Sequence, residues 1–140
     1  MRNPGENPPP RYFTPAEANA LLPRLRFLMT KVSENGRRIR EHLGKLQAGP
    51  TPAVRDKLQG DVDRLKEEVG RAVAEIQSLG VEVKSVDTGL LDFPALKNGE
   101  RVYLCWREGE ERVEWWHPIH TGYSGRQRVT MSGVRWEWKN

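Results

Sequence analysis

The chain has 140 residues, 30% of them charged and 36% hydrophobic, with a formal net charge of +4; one domain suits that length, and the lean apolar share suits helices that show much of their surface to water. No apolar run approaches the ~18 residues of a membrane span, and the first residues lack the apolar stretch of a secretory signal. Cys105 is the only cysteine, so no intrachain disulfide can form, which fits a reducing compartment. A cytoplasmic protein with no membrane association is expected.

Residues 1–12 are rich in Pro and Asn and predict a flexible N-terminal arm ahead of a single domain over residues 13–140. Thr14-Pro15-Ala16-Glu17 then reads as a helix start. Thr14 can accept from the third helical amide, Glu17 can reach back to the cap, and Pro15 stands where a missing N–H does no harm. Apolar residues recur from there in a seven-residue frame: Ala18, Leu25, Val32, Ile39 and Leu46 at one position, and Leu22, Met29, Gly36 and Leu43 four residues on. Pro23 falls inside the frame and predicts a kink. Gly36 beside Asn35 predicts a close approach of helices or a weak point in their packing. After a turn at Ala48-Gly49-Pro50, Thr51-Pro52 repeats the start. Leu58, Leu65, Ala72 and Leu79 then interleave with Val62, Val69 and Ile76 at spacings of four and three, a coiled-coil seam. Gly80 supplies the stop. Two long stripes joined by a short turn pair antiparallel, each needing an apolar partner, so residues 13–80 read as a helical hairpin.

After Gly80 the period changes to two. Val81-Glu82-Val83-Lys84 alternates as a half-buried strand. Asp87-Thr88-Gly89 and Asp92-Phe93-Pro94 predict a loop, and Asn98-Gly99 a tight turn. Residues 101–107 put Val102, Leu104 and Trp106 on one face and Tyr103 and Cys105 on the other. Beyond the turn at Glu108-Gly109-Glu110-Glu111, Val113, Trp115 and His117 share one face and Glu114 and Trp116 the other, which predicts an antiparallel β-hairpin. Residues 121–128 read as a loop, and residues 134–138 as an edge strand with Arg135 and Glu137 facing water. The fold class is α+β: a long, coiled-coil-like antiparallel two-helix hairpin followed by a small antiparallel β-sheet over residues 81–140.

Several strings in this order resemble one known family. They are Phe13-Thr14-Pro15-Ala16-Glu17-Ala18, Leu21-Leu22-Pro23, the run Asp87-Thr88-Gly89-Leu90-Leu91-Asp92-Phe93-Pro94, and Val102-Tyr103-Leu104-Cys105-Trp106-Arg107. Gly109-Glu110, Trp116-His117 and Gly122-Tyr123-Ser124-Gly125-Arg126 follow. Together they are similar to the bacterial family catalogued as domain of unknown function 2203, over roughly residues 12 to 128. The resemblance implies a bacterial cytoplasmic protein. It assigns no activity, so no functional residue is carried over from it.

The chemistry-bearing residues gather in the second half. Asp87, Asp92, His117 and His120 bring carboxylates and imidazoles to strand ends and loops, where they can bind a ligand or share acid/base work. No cofactor is expected; for a metal, Asp92, His117 and His120 are the candidate ligands. Cys105 can pair with His117 as a nucleophile if their strands lie in suitable register, or can simply be a small packed residue. Gly122-Tyr123-Ser124-Gly125, with Arg126 and Arg128, can cradle an anion or simply form a turn. Five tryptophans, at 106, 115, 116, 136 and 138, can cover the hairpin or, beside arginines, stack bases. Alternation sends Trp115 and Trp116 to opposite faces. Between residues 14 and 50 seven basic residues stand against three acidic ones, whereas residues 51–80 hold five against six; Arg37, Arg38 and Arg40 mark this basic stretch as a partner surface. The preferred functional reading is a non-catalytic protein-interaction module that self-associates through the hairpin as a homodimer or docks another protein. The alternatives are a small-ligand or metal-binding protein or enzyme using Asp92, His117, His120 and Arg126, and a nucleic-acid-associated protein.

Overall fold

The structure is a computed structural model that describes residues 9–129 and 137–139. The expectations for residues 1–8, Arg135 and Trp136 lie outside these residues. Helix α1 spans Pro15–Gln47 and helix α2 spans Pro52–Ser78. At ~1.5 Å per residue, α1 is about 50 Å long. Its capping box forms as expected: the Glu17 amide donates to the Thr14 hydroxyl at 3.2 Å, and the Thr14 amide donates to the Glu17 carboxylate at 2.9 Å. The helix runs on through Pro23, which lies on its exposed side.

Ala18, Leu22, Leu25, Leu28, Met29 and Val32 of α1 are buried, as are Val62, Leu65, Ala72 and Ile76 of α2. Gly36 is not a point of close approach, because a Cβ there would meet only the Arg40 guanidinium, at 3.7 Å. Asn35, one residue back, is buried in its stead and donates from Nδ2 to Glu68 of α2 at 3.0 Å. A glycine has no side chain to fill the seam, and the neighbouring amide finds a partner there.

Among the described residues six antiparallel strands follow: β1 (Glu82–Ser85), β2 (Leu90–Lys97), β3 (Glu100–Arg107), β4 (Trp115–Pro118), β5 (Gln127–Arg128) and β6 (Trp138–Lys139). Their order is β1-β2-β3-β4-β5, and β6 pairs with β2 beyond the end of β1. The loop expected around Asp92-Phe93-Pro94 is therefore corrected: these residues lie in the middle of β2. Pro94 is tolerated because its carbonyl, which accepts the Phe13 amide at 2.7 Å, faces away from β3, and so does the side that lacks an N–H. The turn at residues 98–99 is of the expected hairpin kind, with φ of 51° at Asn98 and 82° at Gly99.

One sheet face packs on the hairpin. Leu91, Phe93, Ala95, Val102, Leu104 and Trp106 form a single core with Phe13 and the buried residues of α1 from Ala18 to Val32. Trp116 and Trp138 pack against it edge to face, their centroids 6.3 Å apart. Val113 does not share the face of Trp115 and His117. It precedes β4 and joins the helix-side core, because the Asn19 side chain takes both its amide (2.8 Å) and its carbonyl (3.2 Å). Glu137 is not a water-facing strand residue either; its side chain is 12% exposed and pairs with Lys97 at 2.9 Å.

Candidate functional site

The other sheet face carries the chemistry. Register aligns Asp92 of β2 with Cys105 of β3, and Cys105 with Trp115 of β4; His117 lies opposite Tyr103. Strands two apart are separated by nearly 10 Å, so Asp92 and His117 meet by reaching over β3, where Cys105 is small enough to leave room. His117 Nε2 lies 3.1 Å from both Asp92 oxygens, and its Nδ1 lies 2.7 Å from the Pro118 carbonyl. Both ring nitrogens therefore face acceptors, the arrangement of an imidazolium beside a carboxylate. The side chains of this pair are each 2% exposed.

Burial alone would lower the His117 imidazole. The hydrogen bond that Nε2 donates to Asp92, the one to the Pro118 carbonyl and the Asp92 charge outweigh it and raise the ring above its ordinary value. Cys105 is fully buried, and that burial, with the Asp92 charge beside it, pushes the thiol up to about 12. A protonated, enclosed thiol does not act as a nucleophile. Tyr103 is likewise pushed up to about 12, first by burial and then by its hydrogen bond to Glu82.

The remaining candidates lie around this centre or away from it. Arg126 donates to both Glu110 oxygens, at 2.7 and 2.9 Å, and its guanidinium lies 4.9 Å from the Trp115 ring and 4.6 Å from that of Tyr123. Burial works against its charge, but Glu110 raises it above its ordinary value. Arg128 pairs with Glu114 at 2.6 Å and covers Trp115 from 4.7 Å. Residues Gly122–Gly125 form a 3-10 turn. Asp87 is exposed, 3.5 Å from Arg40, and His120 is exposed in the turn after β4. Neither joins Asp92 and His117. Arg37 pairs with Glu41 along α1, and Arg38 and Arg40 are exposed on the same helix. As alternation required, Trp115 and Trp116 go to opposite faces.

Sequence spacing did not reveal the roles of Glu110 and Glu108. Glu110 clamps Arg126 and accepts the Arg107 amide at 2.7 Å, while Glu108 accepts the Ser33 hydroxyl at 2.5 Å and so ties the sheet to α1. Their sequence context, Glu108-Gly109-Glu110-Glu111, resembles any solvated turn.

The profile of the family described as "Uncharacterized conserved protein (DUF2203)" matches residues 11–129. The chain belongs to this family. The match covers both helices and strands β1 to β5, so the buried pair and Cys105 lie within the family's extent. No curated protein and no solved structure matches the chain. Among the described residues no helix is long and apolar enough to cross a membrane.

Proposed function

We propose that the protein is a non-catalytic interaction module that self-associates through the outer half of its helical hairpin. One observation carries this reading. From Gly36 through the turn to Asp61 no residue is buried, although Ile39, Leu43, Leu46, Val54 and Leu58 follow one another there. Leu43 is 42% and Val54 50% exposed. An apolar hollow of about 420 Å³ lies at the tip between Ala48, Pro50, Val54 and Leu58, with Lys45, Lys57 and Asp61 around it. A two-helix arm with an open stripe gains most by packing on a second arm into a four-helix bundle.

A second copy of the chain is the occupant that fits. Arg38 and Lys45 on α1 would face Asp56 and Asp63 on α2 of a two-fold-related arm, where Arg37, now on Glu41, and Arg40, now on Asp87, would exchange partners. Burying a Leu or Val side chain contributes about 1.5–3 kcal/mol, so each copy's Leu43 and Val54 add materially to such a contact. Light scattering on a sized sample is expected to give twice the 16.1 kDa chain mass, and Leu43→Glu with Val54→Glu is expected to return it to one chain. A monomer at high micromolar concentration would overturn the reading.

A further inference from the structure

We propose that Asp92, Cys105 and His117 bind one divalent ion of the zinc type through a carboxylate oxygen, the thiolate sulfur and imidazole Nε2. The inference is independent of the assembly reading, which concerns the other end of the molecule. Three donors of different chemistry converge, all buried, with ligand atoms within 4.8 Å of one another. Each comes from a different neighbouring strand, so the sheet itself holds their spacing.

The distances suit the ion. Zinc bonds of ~2.0–2.1 Å to N and O imply a tetrahedral N···O edge of about 3.3 Å. His117 Nε2 and the Asp92 oxygens are at 3.1 Å, so they need part by only a few tenths of an ångström, while the sulfur, within 4.8 Å of the other donors, closes by at most about an ångström to reach a zinc–sulfur bond of ~2.3 Å. The second shell is also built. His117 Nδ1 donates to the Pro118 carbonyl at 2.7 Å, which presents Nε2 to the centre, as in most metal-bound histidines.

The donor set selects among ions. Sulfur, imidazole and carboxylate together favour zinc-like ions over calcium or magnesium, which prefer oxygen alone. A doubly charged ion would displace two protons, one from the thiol and one from Nε2, both released to water. With one thiolate, one carboxylate and a neutral imidazole, the occupied centre would carry no net charge, which suits its burial. Three protein donors leave the fourth tetrahedral position for a water or a ligand atom. As a stabilising device alone, a buried ion pair gains little over apolar residues of the same volume.

Co²⁺ is the probe. It is added to the chelator-treated native chain and, because the centre is closed, also during refolding from urea. One Co²⁺ per chain is expected, with a thiolate-to-cobalt charge-transfer band in the near ultraviolet, displaced by Zn²⁺. Cys105→Ser should abolish the band and weaken binding at least tenfold, and His117→Gln and Asp92→Asn should each weaken binding at least tenfold. His120→Gln should leave both readouts unchanged. Cys105→Ser is a near-isosteric change, so it decides the matter if either of the other two ligand variants fails to fold. No band in either the native or the refolded chain overturns the site, as does binding at undiminished strength in Cys105→Ser.

Discussion

Asp92→Asn keeps the side chain's shape, removes its charge, and should reverse the pH dependence of stability. The Asp92 and His117 side chains are each 2% exposed, and removing one member of such a pair leaves the other charge buried alone, at about 3–5 kcal/mol. With a urea slope of about 2 kcal/mol/M, the midpoint should fall by about 2 M. In the native chain the imidazole is raised on folding: burial opposes its charge, but Asp92 and the Pro118 carbonyl together outweigh burial. A base raised on folding adds stability that is fully present below its unfolded value of about 6.5 and is lost as pH climbs through the folded value. The substitution removes the Asp92 charge and leaves Nε2 a neutral amide oxygen as its acceptor. Burial, the largest single influence, and Lys84 then act against a weaker hydrogen bond and the Pro118 carbonyl, so the folded value is expected to drop below the unfolded one. The variant should therefore lose stability as pH falls below about 6.5. The groups facing His117 are Asp92 from β2, Lys84 from β1, and Tyr103 and Cys105 from β3; Tyr103 and Cys105, both near 12, do not titrate in this window. Urea melts followed by tryptophan fluorescence, in chelator, between about pH 5.5 and 8.5 measure both effects. Slopes of the same sign in the two proteins, or a cost within about 1 kcal/mol, would refute the reasoning.

Two further outcomes follow from the same contacts. The Cys105 thiol, fully buried and pushed up to about 12, should resist iodoacetamide at about pH 8 in the native chain and react once urea unfolds it; intact mass before and after denaturation reads this, and fast native labelling would contradict the enclosure. Asn19→Ala removes both side-chain bonds to the Val113 backbone and should cost about 1–3 kcal/mol, with loss of hydrogen-exchange protection at the Val113 amide; unchanged protection would mean that the packing of Val113, not Asn19, holds that segment.

The hairpin was legible because capping, proline and heptad signals agree at every level: Thr14 with Glu17, Thr51 with Pro52, and the apolar frame through Leu65 to Ile76. The β3–β4 pairing was legible from alternation, as was the split of Trp115 from Trp116. Strand β2 was not. Asp92 and Pro94 are turn formers by propensity, and only the tertiary partners, Phe13 at the Pro94 carbonyl and His117 at the Asp92 carboxylate, make a central strand of them. The same gap blurred the site, which the sequence grouped as Asp87, Asp92, His117 and His120 without showing which of them meet. Asp92 and His117 are 25 residues apart in sequence, and their meeting depends on both flanking β3 in one register. Asp87, which stands nearer to Asp92 in the chain, is drawn instead to Arg40 on α1.

The hairpin divides in its packing near Asn35. On the sheet side of that residue, Ala18 to Val32 of α1 and Ala72 and Ile76 of α2 share one core with β2 and β3, and Ser33 reaches Glu108 across the junction. That half holds the sheet rigid, and a rigid sheet is what keeps three donors on three strands at fixed spacing. Beyond Asn35 the apolar side chains of the two helices have only each other, with the exposed Arg40–Asp87 pair as a link to the sheet, and Ile39, Leu46 and Leu58 remain half-buried. Substitutions at Leu43 or Val54 should therefore change assembly without reaching Asp92, Cys105 and His117. Changes at the buried pair should act on stability and on the proposed metal affinity while leaving the proposed self-association of the arm intact wherever the chain still folds. Coupling between the two ends would require a path through α1, and the Asn35–Glu68 bond at 3.0 Å, the buried polar contact between the helices at the division, is where a double-mutant cycle should look for it.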